Sequence, residues 1–148
     1  MTERHAIVSK IKIEKVDLNN LKINIPSSKS YLNRALILAA ILKSKTILTN
    51  VHNLCDDVKD MLEVLKKLGV KIELKQYKNG ENKIIIFGTN GKFTQPKDKT
   101  INCGLGGTTT RFLLGLSALF DFDITITAQG KMLDRPIKEM FEFLKSRR

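Results

Sequence analysis

Tryptophan is absent from this 148-residue chain, and tyrosine and proline are scarce, at two and three residues. Without an RNP-like aromatic series there is no stacking platform for bases, which argues against a single-strand RNA reader. Cysteine is nearly absent too. Cys55 and Cys103 are far apart and form no CxxC or Cys/His spacing, so a zinc ribbon and a disulfide framework are both excluded. Two isolated thiols suit a reducing, cytoplasmic setting. No apolar run approaches the ~20 residues of a membrane-spanning helix. Residues 1–10 lack the apolar core of a secretory signal. Acidic residues are the scarcer charge, 15 against 26 basic ones, for a net charge of +11.

What is present is enough apolar material, 42%, for one ordinary domain with a real core. The charge excess favours anionic partners: nucleic acid, a membrane surface, or phosphorylated and carboxylated metabolites. Lysines that merely solvate the surface would give the same total.

Hydrophobic periodicity supplies the elements. Residues 21–25 alternate as a short strand that Pro26 ends. Ser27 or Ser28 can cap a helix over about 30–42, apolar on nearly every face beyond Arg34 and therefore expected to be deeply buried. A strand follows at 46–49. Asp56 and Asp57 open a second helix with Val58, Met61, Leu62, Leu65 and Leu68 on one face and Gly69 as its C-cap. Val70, Ile72 and Leu74 alternate as a strand, and Asn79-Gly80 turns into another at 83–87. Residues 88–100 are polar and read as a surface connection. A glycine-rich turn then feeds an apolar helix, with a strand around Ile124 and Ile126. Pro136 is placed in the first turn of a last helix.

The chain repeats itself. "DVKDMLEVLKK" (57–67) matches "PIKEMFEFLKS" (136–146) position by position. Arg34 and its apolar helix match Arg111 and its apolar helix. "KTILTN" falls near "DITITA". One unit and part of a second are implied, so the chain reads as a fragment cut within its second repeat.

Each copy places a polar cluster where a strand hands over to a buried helix. A helix N-terminus offers unpaired N–H groups and the positive end of a dipole, a ready anion site. In the first copy, "PSSKSYLNRALILAA" puts Lys29 at the opening, with Ser30 and Arg34 at i and i+4 on one face. Arginine can grip a phosphate bidentately, lysine adds a mobile charge, and serine adds hydroxyl donors. A capped helix with two solvated basic residues fits the same spacing. In the second copy, Gly104, Gly106 and Gly107 allow close backbone approach, Thr108 to Thr110 add hydroxyls, and Arg111 stands where Arg34 stood. This is neither a Walker loop nor a dinucleotide fingerprint. Proline presents Arg135 at a third helix mouth. Three such mouths suit a ligand with more than one anionic group, if they converge.

These four segments resemble, in order and spacing from about Leu21 to Leu144, the N-terminal part of the 3-phosphoshikimate 1-carboxyvinyltransferase (EPSP synthase) family. "PSSKSYLNRAL" is similar to its P-G-S-K-S-x-x-N-R-A-L signature. "CDDVKDMLEVLKKLGV" resembles its second helix, "GGTTTRFL" its G-T-x-x-R segment and "LDRPI" its R-P segment. Ser27 replaces the signature glycine, and Leu105 stands where a polar residue is common.

The resemblance implies an α/β fold of repeated βαβαββ units, an inside-out α/β barrel, with about one and a half units present. Residues 1–20 would belong or link to the other domain. Residues 21–148 would form an incomplete substrate-facing domain: unit one over 21–88, a linker over 89–100, and part of unit two over 101–148. It implies transfer of the enolpyruvyl group of phosphoenolpyruvate to the 5-hydroxyl of shikimate 3-phosphate, with no metal or organic cofactor. Lys29, Ser30 and Arg34 would hold shikimate 3-phosphate. Lys29, as the catalytic residue, Gly107 and Arg135 would meet phosphoenolpyruvate. Asn33, Asp57, Thr108 and Arg111 would support them. Partners would be these two anions and the missing C-terminal portion as a separate chain, with no nucleic acid and no membrane. The setting would be cytoplasmic. The chain alone is expected to be inactive, since the family's acid–base partners lie in the other domain. Competing readings are a non-catalytic remnant or split piece, the sister enzyme acting on UDP-N-acetylglucosamine, and an RNA-end-processing relative. The sister typically carries a cysteine in the loop before its Arg-Pro, and residues 129–134 have none.

Overall fold

Ser27 and a bulge in the first strand fix where the first helix begins. The computed structural model describes residues 27–52, 54–78 and 80–146; the expected strand at 21–25 and the 1–20 segment lie outside these. Helix α1 is Lys29–Ile41 and strand β1 is Lys45–His52. The bulge falls between Leu48 and Val51, with Asn50 at φ +57°. The Ser27 hydroxyl donates to the Asn50 carbonyl at 3.1 Å and accepts the His52 N–H at 2.8 Å. The serines expected to cap α1 make no side-chain cap bond, because Ser27 is committed to β1.

Helix α2 (Asp56–Lys67) carries its apolar residues on one face, and Val58, Met61, Leu62, Val64 and Leu65 are buried. Asp56 and Asp57 in its first turn and Lys66 and Lys67 in its last match the helix dipole. Its end is a Schellman turn: Gly69 at φ +84° donates to the Lys66 carbonyl, and Val70 donates to that of Leu65. Strands β2 (Lys71–Gln76) and β3 (Glu81–Phe87) follow, joined across the Gly80 turn. Both β1 and β2 pair antiparallel with β3, in the order β1-β3-β2. Alternation sends Ile84 and Ile86 of β3 fully into the core, while Lys71 and Lys45 lie over the Phe87 ring on the outer side.

The second copy has β4 (Thr100–Asn102) parallel to β5 (Thr125–Thr127), with α3 (Gly107–Leu116) crossing between them. A short 3-10 turn, Gly130–Met132, precedes α4 (Lys138–Lys145). Pro136 therefore lies ahead of the helix, not in its first turn, since Ile137 occupies the N-cap position. One core unites the copies: Leu36, Met61, Leu65, Ile84, Ile101 and Leu113 belong to a single cluster.

One expectation changes and another gains detail. Helix α1 is not buried all round, since Leu38 is 63% exposed. It packs on α2, α3 and β3 through Leu32, Asn33, Leu36, Ala39 and Ala40, and Tyr31 and Leu38 on its other side are exposed. The polar stretch after β3 does run over the surface, with Pro96 its one buried residue, but its start is also bonded inward. Thr89, Asn90 and Gly91 donate their N–H groups to the carbonyls of Ala40, Leu42 and Ile41, closing the C-terminus of α1. Further on, Phe93 meets Phe120 edge-on at 5.4 Å, and Pro96 is buried.

Gly88 starts this closure, and a Cβ there would lie 2.6 Å from the Ala39 carbonyl oxygen and closer still to that of Leu42. Gly91 has φ +73° but open space around it. Gly88→Ala is expected to cost about 3 kcal/mol, since rigid backbone must move. Gly91→Ala should cost about 1 kcal/mol from its backbone conformation alone. Denaturant midpoints of the two variants check this; equal midpoints would show that the α1 closure is not tight.

Candidate active site

Three of the four helices open toward one place. Lys29, the first residue of α1, donates from Nζ to Asp57 Oδ2 on the first turn of α2 at 3.0 Å. Asp57 also faces α3. Its main-chain carbonyl accepts the Thr109 hydroxyl at 3.5 Å, and its Oδ1 lies 3.3 Å from where a Cβ on Gly106 would stand. Asp57 thus touches all three mouths. Both side chains are partly exposed, 44% for Lys29 and 32% for Asp57, so the pair contributes about 1 kcal/mol at most. Its effect is to fix where the lysine charge sits.

Gly107 opens α3, and a Cβ on it would lie 2.7 Å from Arg135 Nη1, 3.3 Å from Arg111 Nη1 and 3.5 Å from Met132 Sδ. Two guanidinium groups therefore hang over one glycine at a helix N-terminus. Only glycine leaves them room, and its N–H points where the dipole is positive. Arg111 also donates from Nη2 to the Pro136 carbonyl at 3.3 Å, which ties α3 to the turn that carries Arg135. Positive groups so arranged can hold an anion with several oxygens.

The remaining expected residues lie around this centre. Ser30 is exposed, and its main-chain carbonyl takes Arg34 Nη1 at 3.0 Å. Arg34 is exposed and free to swing from that bond to a ligand. Thr108 is half-buried in the first turn of α3. Asn33 is wholly buried one turn behind Lys29. The structure brings Lys29, Asp57, Gly107, Arg111 and Arg135 together, while Ser30 and Arg34 stand at the side of α1.

Sequence reasoning missed Met132 and Asp60. Met132 is buried against Gly107, and no periodic pattern marks it. Asp60 crowds the Gly104 turn from α2, and its i+3 and i+4 spacing from Asp57 and Asp56 was the available signal. Burial pushes the Asp60 carboxyl above its usual value, and Asp57 and Asp56 push it further. Among the described residues no group of His, Cys, Asp and Glu is arranged to hold a metal ion.

A cavity of about 940 Å³ lies to one side of these groups. It lies between α3, β5 and α4, lined by Leu114, Ile126, Met132, Phe141 and Leu144, with Arg135 at its rim. Its apolar wall suits no polyanion.

Cys103 follows β4 directly, at the start of the glycine turn, and is fully buried. Burial pushes its thiol up to about 11; a bond from Thr110 opposes this and the charge of Asp60 adds to it. A raised value means that the fold favours the neutral thiol. Its contribution is complete below the unfolded value near 9.0 and is lost as pH rises toward 11. Unfolding free energy of the wild type should therefore fall more steeply from pH 9 to 11 than that of Cys103→Ala. Parallel slopes in chemical denaturation would remove the buried thiol from this account.

Comparison with known proteins bears on the family and the fold. A profile of EPSP synthase (3-phosphoshikimate 1-carboxyvinyltransferase) matches residues 13–147. The 3-phosphoshikimate 1-carboxyvinyltransferase of Clostridium kluyveri is 35% identical over 127 residues, covering 86% of this chain and 28% of that protein. The protein of the same name from Pectobacterium carotovorum is 37% identical over 133 residues, covering 90% of this chain and 30% of that protein. The EPSP synthase structure from Acinetobacter baumannii aligns with a TM-score of 0.72 at 26% identity, over 84% of this chain and 27% of that one. The chain thus spans under a third of these relatives, and over that span its α/β fold is that of EPSP synthase. The chain belongs to the EPSP synthase (3-phosphoshikimate 1-carboxyvinyltransferase) family.

Proposed function

We propose that the chain supplies the N-terminal, anion-binding part of an enzyme that transfers the enolpyruvyl group of phosphoenolpyruvate to the 5-hydroxyl of shikimate 3-phosphate. The observation that carries this reading is the pair of guanidinium groups, Arg111 and Arg135, over the backbone of Gly107. Gly107 and Arg135 bind the anionic groups of phosphoenolpyruvate, with Arg111 holding the Arg135 turn. Lys29, Ser30 and Arg34 bind shikimate 3-phosphate, and Lys29 reaches both substrates from its place beside Asp57. Asn33, Asp57 and Thr108 support this set. The net charge of +11 suits two polyanionic substrates.

The reaction needs a proton delivered to the methylene carbon of phosphoenolpyruvate and another removed from the shikimate hydroxyl. Acid–base groups must lie within hydrogen-bond reach of those atoms. Lys29 and Arg135 orient and neutralise anions but do not form that full set. The rest of it comes from the larger part of the family's length, as a further stretch of polypeptide or a separate chain. The reading includes a cytoplasmic setting, supported by the two free thiols, Cys55 and Cys103. Among the described residues no helix is long and apolar enough to cross a membrane.

Binding and turnover test this together. Shikimate 3-phosphate should bind the 148-residue chain with salt-sensitive affinity. Arg34→Ala should weaken it by roughly 1.5–3 kcal/mol, the range for a charge-assisted hydrogen bond, and the exposed Lys75→Ala on β2 should leave it unchanged. Phosphate release from both substrates should be absent until polypeptide spanning the rest of a relative's length is added, and Lys29→Ala should then remove most of it. Equal titrations of the two alanine variants, or turnover by the 148 residues alone, would overturn the proposal.

A further inference from the structure

Beneath the helix mouths lies a layer of buried polar side chains whose hydrogen-bonding capacity is under-used. Asn33 is 0% exposed, and among the described residues neither its amide nitrogen nor its amide oxygen has a partner. Thr109, on the first turn of α3, is 0% exposed as well, and its bond to the Asp57 carbonyl is 3.5 Å, at the limit for a hydroxyl. Thr110 beside it is fully served, at 2.9 Å from the Gly106 carbonyl.

The position of Asn33 gives this meaning. It is four residues after Lys29, so both lie on the face of α1 that looks toward α2 and α3. An orphaned buried polar group destabilises the fold by its lost hydration, and this amide presents two. Leu32 and Leu36 flank the site on the same buried face, where an apolar side chain would carry no such cost. Unrelieved cost at a core position directly behind a binding centre is a mark of function.

We infer that Asn33 is a positioning residue for the anion site: its amide is taken up by the Gly106–Thr109 turn when a bound anion draws the mouths of α1 and α3 together. This rests on the proposed reading that Lys29 and Gly107 act on ligands in one site. A ligand held by Lys29 on one side and the α3 N-terminus on the other favours the arrangement in which the two helices approach. The free fold leaves the amide unsatisfied, so the closed arrangement gains hydrogen bonds that the open one lacks. Part of the affinity for the anion is then stability withheld from the free chain.

The test compares the full wild-type chain with Asn33→Leu and Thr109→Val. Thermal melts are recorded without ligand, titrations use shikimate 3-phosphate, and side-chain amide exchange is followed by nitrogen-15 NMR. Asn33→Leu should melt at the same or a higher temperature and bind about tenfold more weakly, or ~1.4 kcal/mol. Thr109→Val should weaken binding by a smaller factor, and the Asn33 amide of the wild type should exchange more slowly once ligand is bound. No binding by the wild type would sink the functional proposal and this inference with it. Binding by the wild type with equal affinity in Asn33→Leu would overturn the inference alone. So would a lower melting temperature for Asn33→Leu, or an Asn33 amide equally protected with and without ligand, since either means that the amide is already bonded in the free fold.

Discussion

A mobile lysine charge at a helix mouth has to be held in place, and Asp57 is the group that holds it. Lys29 ends in its carboxylate, Thr109 reaches its carbonyl, and Gly106 comes up against its second oxygen. The ion pair is half-exposed and contributes little free energy, as screening by water predicts. The energy that fixes the helices comes from the core below, where Leu36, Met61, Leu65 and Leu113 meet. The ion pair adds direction, not strength. It selects one position for a side chain that would otherwise sweep a large volume of solvent.

The repeat explains why the site can exist at all. One helix mouth binds an anion weakly, because the dipole effect fades within a turn and is screened by salt. Helices α1 and α3, from the two copies and sharing one core, bring two mouths side by side. The copies have since taken different parts. Arg34 rests on the carbonyl of Ser30 in its own helix and stays in solvent. Arg111, its counterpart, turns across to the Pro136 carbonyl and shares the space over Gly107 with Arg135. Equivalent arginines thus divide into one that can swing to a ligand and one that braces another cation.

Much of this was legible in the chain itself, and the rest fails for definable reasons. The α2 pattern, the Gly69 stop, the alternating strands and the duplicated arginine all depend on local spacing, which sequence records directly. Convergence of Lys29, Gly107 and Arg135 depends on how helices far apart in sequence pack, and no local period encodes that. Helix α1 shows the limit of composition. Its apolar run reads as buried all round, yet Leu38 is left largely exposed. Residues 88–91 show the reverse. Their polar composition reads as a surface connection and does not reveal that their backbone N–H groups close α1, since backbone donors leave no trace in side-chain character. Asn33 was legible as a motif residue only. That its amide is both buried and unpaired is a fact of packing.

The two related helices carry this point into the site. Helices α2 and α4 share an apolar pattern, but α2 buries Val58, Met61, Val64 and Leu65, whereas α4 buries nothing and leaves Phe141 and Phe143 more than half exposed. The difference lies in their neighbours. The buried face of α2 joins Ile84 and Ile86 of β3 in one core cluster, while the flank of α4 faces an apolar cavity. Arg135 is carried on the turn that leads into α4, so its own helix cannot be what steadies it. What steadies it comes from the better-packed α3, through the Arg111 bond to Pro136, and from Met132, buried just ahead of it in the same turn. The cation that faces Gly107 is therefore held from the side of the core, and its placement survives the looseness of the helix that follows it.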